Sequence, residues 1–543
     1  MKIFLGQINP IVGDLVGNTE KIIKSIAFAR EKCADLIIFP ELALTGYPPE
    51  DLLKLTSFID EVERMLQLIL DHSNDIVVIV GVPRRESKEK NFCCFNSAAI
   101  IENKVLLGFQ DKILLPTYDV FNEARYFKSG SNIIPWKIKG KNIAVTICED
   151  IWSHANLTPE SFYCRDPIEE LKDFPLDLVL NLSASPFHIG KIENRINVCR
   201  KTAHTLMCPV FLCNQVGANT SLIFDGHSIY MGKDGTLLHI GKGFEEDLIL
   251  IDTDQVYSCD YQPNAMSDLY SALVLGVKDY FKKSKLTKAS IGISGGIDSA
   301  VVACIAVAAL GNENVLGVSM PSRYSSEGSI EDAKKLAKNL NIEMIQLPIE
   351  EPFKAYNSLL SPFFEGYPSD ITEENLQARI RGMILMAISN KKGYIPLATG
   401  NKSEMAVGYA TLYGDMCGGL AVISDVTKTK IYSLAKWINR ELEIIPNNTI
   451  IKPPSAELKH DQKDTDTLPD YEILDNIIEG YIEDQLSVEQ ISDRFKYSLK
   501  LVQSIVSKIY LNEYKRRQSP PNLRVSRKNL IAGRCFPIVQ RWK

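Results

Sequence analysis

The chain has 543 residues, of which 45% are hydrophobic and 24% charged, and its formal net charge is −6. That length exceeds what one hydrophobic core supports, so two or more domains are expected; the average composition excludes disordered and fibrous classes. A weak negative charge without a large basic block argues against nucleic acid as a partner. No stretch approaches the roughly 18 apolar residues of a membrane span, so no membrane association is expected. The opening M-K-I-F-L-G-Q-I-N-P is interrupted at Gly6, Asn9 and Pro10, too early for a secretory signal. Twelve cysteines lie scattered without C-x-x-C pairs, Cys93-Cys94 being the only adjacent couple. They read as reduced thiols, not a disulfide framework or a zinc site, and a cytoplasmic location is expected.

In chain order, residues 3–9 predict a first strand, and Ile22, Ile23, Ile26 and Ala29 show helical spacing within 18–32. D-L-I-I-F-P-E is a buried strand that delivers Glu41 just past its end. D-I-V-V-I-V-G-V is the next strand, and a hairpin is expected around Glu102-Asn103, with Lys112 following its second arm. K-N-I-A-V-T-I-C is a further strand ending at Cys148. Strand ends on one edge of an α/β fold form the rim where sites assemble. Singly, Glu41 reads as a turn residue, Lys112 as a surface lysine and Cys148 as a small core residue. Jointly they supply a carboxylate base, a cation for an oxyanion and a thiol nucleophile, the set that amide hydrolysis needs.

These contexts, I-F-P-E-L, D-K-I-L-L-P-T-Y and T-I-C-E-D-I-W, resemble the Glu-Lys-Cys triad of the nitrilase (carbon–nitrogen hydrolase) family, in family order over residues 1 to about 250. The resemblance implies an αββα sandwich in which Cys148 attacks an amide carbon, Glu41 relays the proton and Lys112 steadies the oxyanion. Glu123, in V-F-N-E-A-R-Y-F, matches a further acidic residue of that family. N-L-S-A-S-P-F-H-I-G-K at 181–191 resembles the segment that holds glutamine in glutaminase members; by that match Ser185 and Lys191, with Tyr118, contact glutamine.

The polar stretch between about 253 and Leu269 reads as a linker, giving expected domains at 1–255 and 269–543 joined by 256–268. An amphipathic helix from Leu269 leads to a short apolar strand, Ala289 to Ile293, then Ser294-Gly295-Gly296-Ile297-Asp298-Ser299, then the apolar helix Ala300 to Leu310. Strand, glycine turn and helix together aim backbone N–H groups and a helix dipole at one anion. Gly295 and Gly296 allow close backbone approach, Ser294 and Ser299 add hydroxyls, and Asp298 offers a carboxylate for Mg²⁺ against phosphate oxygens. No Lys follows the second glycine, so this is not a Walker A loop. Further strands at V-L-G-V-S-M-P-S-R and E-M-I-Q-L-P-I alternate with a helix over 329–340, predicting a doubly wound parallel sheet. Ligands bind at the carboxyl ends of such strands, where Ser294, Pro321 and Arg323 fall. T-E-E-N-L-Q-A-R-I-R-G-M is expected to be a helix capped by Thr372, and T-G-N-K-S-E a polar turn after a strand.

The loop resembles that of the N-type ATP pyrophosphatases, which release pyrophosphate from ATP to adenylate a substrate. With E-N-L-Q-A-R-I-R-G, T-G-N-K-S-E, Y-G-D-M-x-G-G-L, K-P-P-S-A-E-L-K and Y-K-R-R-Q-S-P-P, the second half resembles the NAD synthetase family. A nitrilase-type glutaminase ahead of it resembles that family's glutamine-dependent members. The resemblance implies ATP held by Gly292, Ile293, Ser294, Gly295, Gly296, Ile297, Asp298 and Ser299, with Arg323, Thr399 and Lys428 nearby. It implies deamido-NAD contacts at Asn375, Glu404 and Lys515, Mg²⁺ ligands at Asp298 and Glu404, an internal ammonia channel, and a homodimer or larger homo-oligomer through the synthetase half. Glu404 thus carries two implied roles.

Two departures stand out: Asn522 where the family commonly has Gly, and a tail, R-K-N-L-I-A-G-R-C-F-P-I, without the family's basic run. The charged segment 459–470 is expected to be a mobile loop near the active site. Competing readings are a tRNA-modifying pyrophosphatase, an amidotransferase for another carboxylate, and a first half that only supports oligomerisation. The first lacks a basic stripe, the second lacks an account of the deamido-NAD motifs, and the third leaves the intact triad unexplained.

Overall fold

A computed structural model describes residues 1–87, 94–155, 163–534 and 536–542, so Cys93 of the adjacent pair and Cys535 of the tail lie outside the described residues. The chain forms two compact units, Met1–Asp268 and Leu269–Lys543.

The first unit opens with β1 (Lys2–Gln7), α1 (Leu15–Glu31), β2 (Leu36–Ile38), α2 (Thr56–Asp71) and β3 (Val77–Arg85). β4 (Cys94–Glu102) and β5 (Val105–Asp111) form the expected hairpin. β6 (Trp136–Ile138), β7 (Lys141–Ile147), α3 (Pro167–Leu171), β8 (Leu178–Ser183), α4 (Lys191–Leu206) and β9 (Val210–Asn214) follow. β10 (Val216–Asn219), β11 (Leu222–Asp225), β12 (Ile229–Met231), β13 (Leu237–Ile240) and β14 (Asp247–Asp252) close the unit. One six-stranded sheet runs β14-β1-β2-β3-β4-β5 and another β13-β12-β9-β8-β7-β6, while β10 and β11 pair as a two-stranded sheet.

Side chains alternate faces along each strand, so every strand feeds two cores. Ile3, Leu5, Val77, Ile79, Ile143 and Val145 fill the space between the sheets. Phe4, Val78 and Val80 face the other way, onto Ile22 and Ile26 of α1 and Val62 and Ile69 of α2. Ala144, Val179 and Leu212 pack likewise with Val198 and Ala203 of α4. The result is the expected αββα sandwich.

In the second unit, α5 (Ala265–Lys283) begins four residues before the predicted helix start. β15 (Lys288–Gly292), α6 (Ile297–Leu310), β16 (Val315–Ser319), α7 (Glu327–Asn339), β17 (Glu343–Gln346), α8 (Glu350–Leu360) and α9 (Ile371–Lys392) come next. β18 (Tyr394–Ala398), α10 (Lys402–Val407), β19 (Leu420–Ala421) and α11 (Lys428–Ile438) complete the core. All pairings in the sheet β17-β16-β15-β18-β19 are parallel. Order reverses between β15 and β18, which opens a crevice at their carboxyl ends. Residues Ala300 to Ala306 of α6 are buried all round, which accounts for that helix's lack of a polar face. The cap of α9 differs from expectation. Asp370, not Thr372, accepts the Thr372 N–H at 2.8 Å, while Glu373 reaches back to the Asp370 N–H at 2.8 Å. Asp370 sits one step outside the helix with extended backbone, the position a capping carboxylate needs, whereas Thr372 is already helical.

Gly81 of β3 passes directly behind the turn that carries Glu41. A Cβ there would lie 2.3 Å from Leu42 N and 2.5 Å from Pro40 O, both rigid backbone atoms. Gly81→Ala is therefore expected to destabilise the first unit by about 3 kcal/mol or to prevent its folding. Thermal unfolding checks this, and an unchanged midpoint refutes it.

Candidate active sites

In the first unit three strand ends and one turn meet around a buried ammonium. Lys112, one residue past β5, is fully buried and donates from Nζ to Glu41 Oε1 at 2.7 Å and Glu123 Oε1 at 2.8 Å. Glu41 also accepts from Asn96 Nδ2 at 2.7 Å and from the Ala184 N–H, just past β8, at 3.1 Å. Tyr47 donates to Glu123 Oε1 at 2.8 Å. Burial opposes the charge on Lys112, yet the facing Glu123 and Glu41 carboxylates outweigh it and hold the ammonium well above its ordinary pKa. Glu123 is pushed up to about 7, chiefly by burial, against the pull of Lys112.

Cys148 follows β7 directly, is 7% exposed, and holds φ +43 in the turn. Left-handed backbone at a non-glycine residue costs on the order of 1 kcal/mol, and Asp150 offsets it. One Asp150 oxygen accepts from Ile113 N at 3.0 Å and Leu114 N at 2.9 Å, the other from Ile147 N at 2.9 Å. A single carboxylate thus ties the Cys148 turn to the segment following Lys112. Burial pushes the Cys148 thiol well above its usual range, and the Glu41 charge pushes further; Lys112 pulls the other way. At rest the thiol is protonated, so attack requires a base, and of the nearby carboxylates the Glu41 charge acts on it most strongly.

Beside the thiol, Glu149 is buried and accepts from Tyr118 OH at 3.0 Å and Tyr163 OH at 3.2 Å. Burial raises its pKa, against the pull of Lys112 and of Lys191. Lys191 opens α4 with its ammonium 3.7 Å from the Trp152 ring centroid. Ser185 is 3% exposed, and its N–H donates to Asn214 Oδ1 at 3.0 Å. The three predicted glutamine contacts, Tyr118, Ser185 and Lys191, therefore lie on segments that converge near Cys148.

The second unit holds a cavity of about 310 Å³ in the crevice past β15 and β18. Gly292, Ile293, Ser294, Gly296, Ile297, Asp298 and Ser299 form one wall, and Thr399, Glu404 and Lys428 another. Gly295 stands behind the loop at φ +83, where a Cβ would fall 2.2 Å from Ser329 O. No side chain caps α6 at Gly296, which leaves the start of that helix open beside the cavity. Lys428 Nζ pairs with Asp298 Oδ2 at 2.5 Å and Glu404 Oε1 at 3.3 Å. Asn401 caps α10 and donates to Asp298 Oδ1 at 3.0 Å, which joins the two motifs. Burial and the Asp298 charge raise Glu404 to about 8 despite Lys428.

Residues 269–519 match the NAD synthase family and residues 2–261 the carbon-nitrogen hydrolase family. A glutamine-dependent NAD(+) synthetase of Synechocystis sp. is 43% identical over 99% of this chain and 98% of the relative. One of Thermotoga maritima is 41% identical over 100% and 99%. The chain belongs to the glutamine-dependent NAD(+) synthetases. The solved glutamine-dependent NAD+ synthetase of Acinetobacter baumannii, in complex with ADP, is 36% identical, with a TM-score of 0.78 over 100% of this chain and 99% of that one. The structure from Cytophaga hutchinsonii, 23% identical with a TM-score of 0.85 over 99% and 98%, shares the fold.

Within this family plan, not every predicted residue reaches the second cavity. Arg323 is outside its lining; it follows β16 on an exposed turn, and its guanidinium pairs with Glu350, drawn off by that carboxylate. Asn375 lies behind the wall, its Oδ1 accepting from Thr411 Oγ1 at 2.8 Å. Lys515 is likewise behind, donating to Gly408 O and Ala410 O at 2.7 Å each. Sequence reasoning missed Arg381, Lys452, Tyr432 and Asp464, all of which line the cavity from separate elements. Segment 459–470 reaches the site, as expected, through Asp464. Asp464 is buried and accepts from Tyr471 OH at 2.8 Å and Tyr409 OH at 3.3 Å. In the tail, Asn522 is fully buried beside Ala421, whose N–H donates to the Pro521 carbonyl at 2.8 Å.

No group of three His, Cys, Asp or Glu set for a metal occurs among the described residues. Asp298 and Glu404 already share one cation, the Lys428 ammonium. Two carboxylates suit Mg²⁺, which takes its remaining ligands from phosphate oxygens and water.

The raised thiol sets a pH dependence. Because burial and Glu41 disfavour the thiolate, iodoacetamide labelling of Cys148 is expected to be slow at pH 7.5 and to keep rising beyond pH 9, where an ordinary thiol levels off. Rates read by peptide mass spectrometry test this; a plateau by pH 9 contradicts it.

Proposed function

We infer that the chain performs ATP-dependent amidation of deamido-NAD(+) to NAD(+) with ammonia from L-glutamine, the final step of NAD biosynthesis. The observation that carries this reading is the pairing of two complete sites in one chain: Lys112 with Glu41 and Glu123 beside Cys148, and the Gly292–Ser299 loop facing Lys428 and Glu404.

At the first site Cys148 Sγ attacks the side-chain amide carbon of glutamine as its proton passes to Glu41. Lys112 spends two N–H bonds on Glu41 and Glu123, leaving the third for the tetrahedral oxyanion. Glu41 returns the proton to the leaving nitrogen, the C–N bond breaks, and ammonia departs from a thioester. Water then attacks the thioester, Glu41 takes its proton, and glutamate leaves with the thiol restored. The buried Glu149 carboxylate, set between two tyrosine hydroxyls, complements the α-ammonium of glutamine, and Lys191 its α-carboxylate.

At the second site the nicotinate carboxylate of deamido-NAD attacks the α-phosphorus of ATP, giving an acyl-adenylate and pyrophosphate. Ammonia attacks the acyl carbon and AMP leaves. The α6 N-terminus and the Ser294 and Ser299 hydroxyls bind phosphate oxygens, and Lys428 balances charge beside them. Asp298 and Glu404 would hold Mg²⁺, which neutralises the phosphates when bound; Thr399 lies by the nucleotide, and Asn375 and Lys515 shape the deamido-NAD side from behind the wall. Ammonium has no lone pair, so producing and consuming ammonia within one enzyme avoids protonation in bulk water. A cytoplasmic location and the domain division 1–255, 256–268 and 269–543 are part of this proposal.

Cys148→Ala is expected to abolish NAD formation from glutamine and to keep it from ammonium, with deamido-NAD, ATP and Mg²⁺ supplied. Loss of both, in a folded variant, rejects the division of labour. A homodimer through the second unit is also proposed, supported by the exposed Leu359, Phe363, Tyr367 and Ile371 (65–78% exposed). Light scattering is expected to give at least twice the chain mass of 60.8 kDa; a monomer rejects it.

A further inference from the structure

Beneath the Ser185 turn lies a buried ion pair that the chemistry above does not use. Arg195 and Asp225 are 0% and 1% exposed, and no other charged pair in the first unit besides those of Lys112 is as deeply buried among the described residues. Arg195 Nη2 donates to Asp225 Oδ1 at 2.8 Å and Nη1 to Oδ2 at 3.0 Å, a two-pronged contact. His227 Nδ1 lies 3.1 Å from Asp225 Oδ2. Burying two charges is expensive, and an apolar pair of similar volume is often as stable, so stability alone explains such a pair poorly.

What the pair holds is informative. The other prongs of the guanidinium reach Ser185 O at 3.4 Å and Gly226 O at 3.3 Å. Asn214 closes the ring: its Oδ1 takes the Ser185 N–H at 3.0 Å, and its Nδ2 donates to Gly226 O at 2.8 Å. Both backbone groups of Ser185 are therefore assigned within this cluster. The preceding N–H, of Ala184, goes to Glu41 Oε2 at 3.1 Å, so the same turn is registered against the catalytic base. Arg195 also lies four residues, one helical turn, beyond Lys191, the first residue of α4. One guanidinium thereby anchors the turn of Ser185 and the helix that begins at Lys191.

We infer that Arg195 and Asp225 are positioning residues that set the Ser185 turn and the start of α4 for the amino-acid end of glutamine. The inference rests on Ser185 and Lys191 being glutamine contacts. A planar fork with rigid geometry suits this role, since it fixes angles as well as charge. Neither residue touches the substrate; both act through Ser185 and Lys191.

The test uses the full chain and reads NAD formation with glutamine, with ammonium as donor in parallel. Arg195→Met is expected to raise the glutamine KM about tenfold or more while the ammonium-driven rate is unchanged, as for loss of substrate positioning. Arg195→Lys keeps the charge without the fork and is expected to fall between. The double variant Arg195→Met/Asp225→Leu replaces the pair by apolar volume. It is expected to recover the thermal midpoint but not the glutamine KM. A double variant with wild-type KM, or an Arg195→Lys enzyme whose glutamine and ammonium rates fall in parallel, overturns the inference by reducing the pair to general stability. If instead Ser185→Ala and Lys191→Ala both leave the glutamine KM unchanged, it is the underlying reading of the glutamine site that fails.

Discussion

A fully buried ammonium between two carboxylates is the constraint on which this molecule turns. Lys112 stands between Glu41 and Glu123. Lys428 stands between Asp298 and Glu404. Lys402, also fully buried, reaches Asp425 at 3.3 Å and Glu483 at 2.7 Å. Removing one partner from such a cluster leaves an uncompensated charge and costs about 3–5 kcal/mol. Each cluster is therefore all-or-nothing, and that rigidity keeps reactive groups in place. Two of the three lie at the candidate sites. The third ties α10, which carries Glu404, to the C-terminal segment through Ser526 and the Lys528 carbonyl.

The same charges set the chemistry. The Lys112 cation remains charged because its carboxylates outweigh desolvation, while the Cys148 thiol, a short reach away, remains protonated because burial dominates. A neutral thiol with a carboxylate neighbour is stable toward stray oxidants and is activated only as its proton leaves. At the second site the cation is likewise matched: Lys428 lies between Asp298 and Glu404, beside a helix end that no side chain caps.

Topology brings these groups together. In the sandwich, segments following β2, β5, β7 and β8 converge, so residues separated by up to 143 positions share hydrogen bonds. In the parallel sheet, the reversal of strand order at β15 and β18 opens a crevice lined by the glycine loop and by the Thr399–Glu404 turn. Asn401 joins the two with one side chain, capping a helix and holding Asp298.

Local pattern in the chain determined much of this. Strand periodicity, the hairpin at Glu102, the glycine loop before an apolar helix, and the motifs around Glu41, Lys112 and Cys148 are short-range signals, because each depends on spacing within one element. Only tertiary structure decided the rest. Arg323 was legible as a residue at a strand's carboxyl end, but its pairing with Glu350 depends on a helix 27 residues on. Asp464 reads as one residue of a charged, weakly patterned segment, and only the fold brings the Tyr471 and Tyr409 hydroxyls to it. Asp150 reads as one more acidic residue after Cys148, yet its three backbone donors come from two strand ends. Arg195 resembles any helical arginine until the sandwich buries it against Asp225. A side chain's electrostatic role is set by which charges and dipoles surround it once water is gone, and those neighbours are chosen by the packing of distant elements, not by adjacency along the chain.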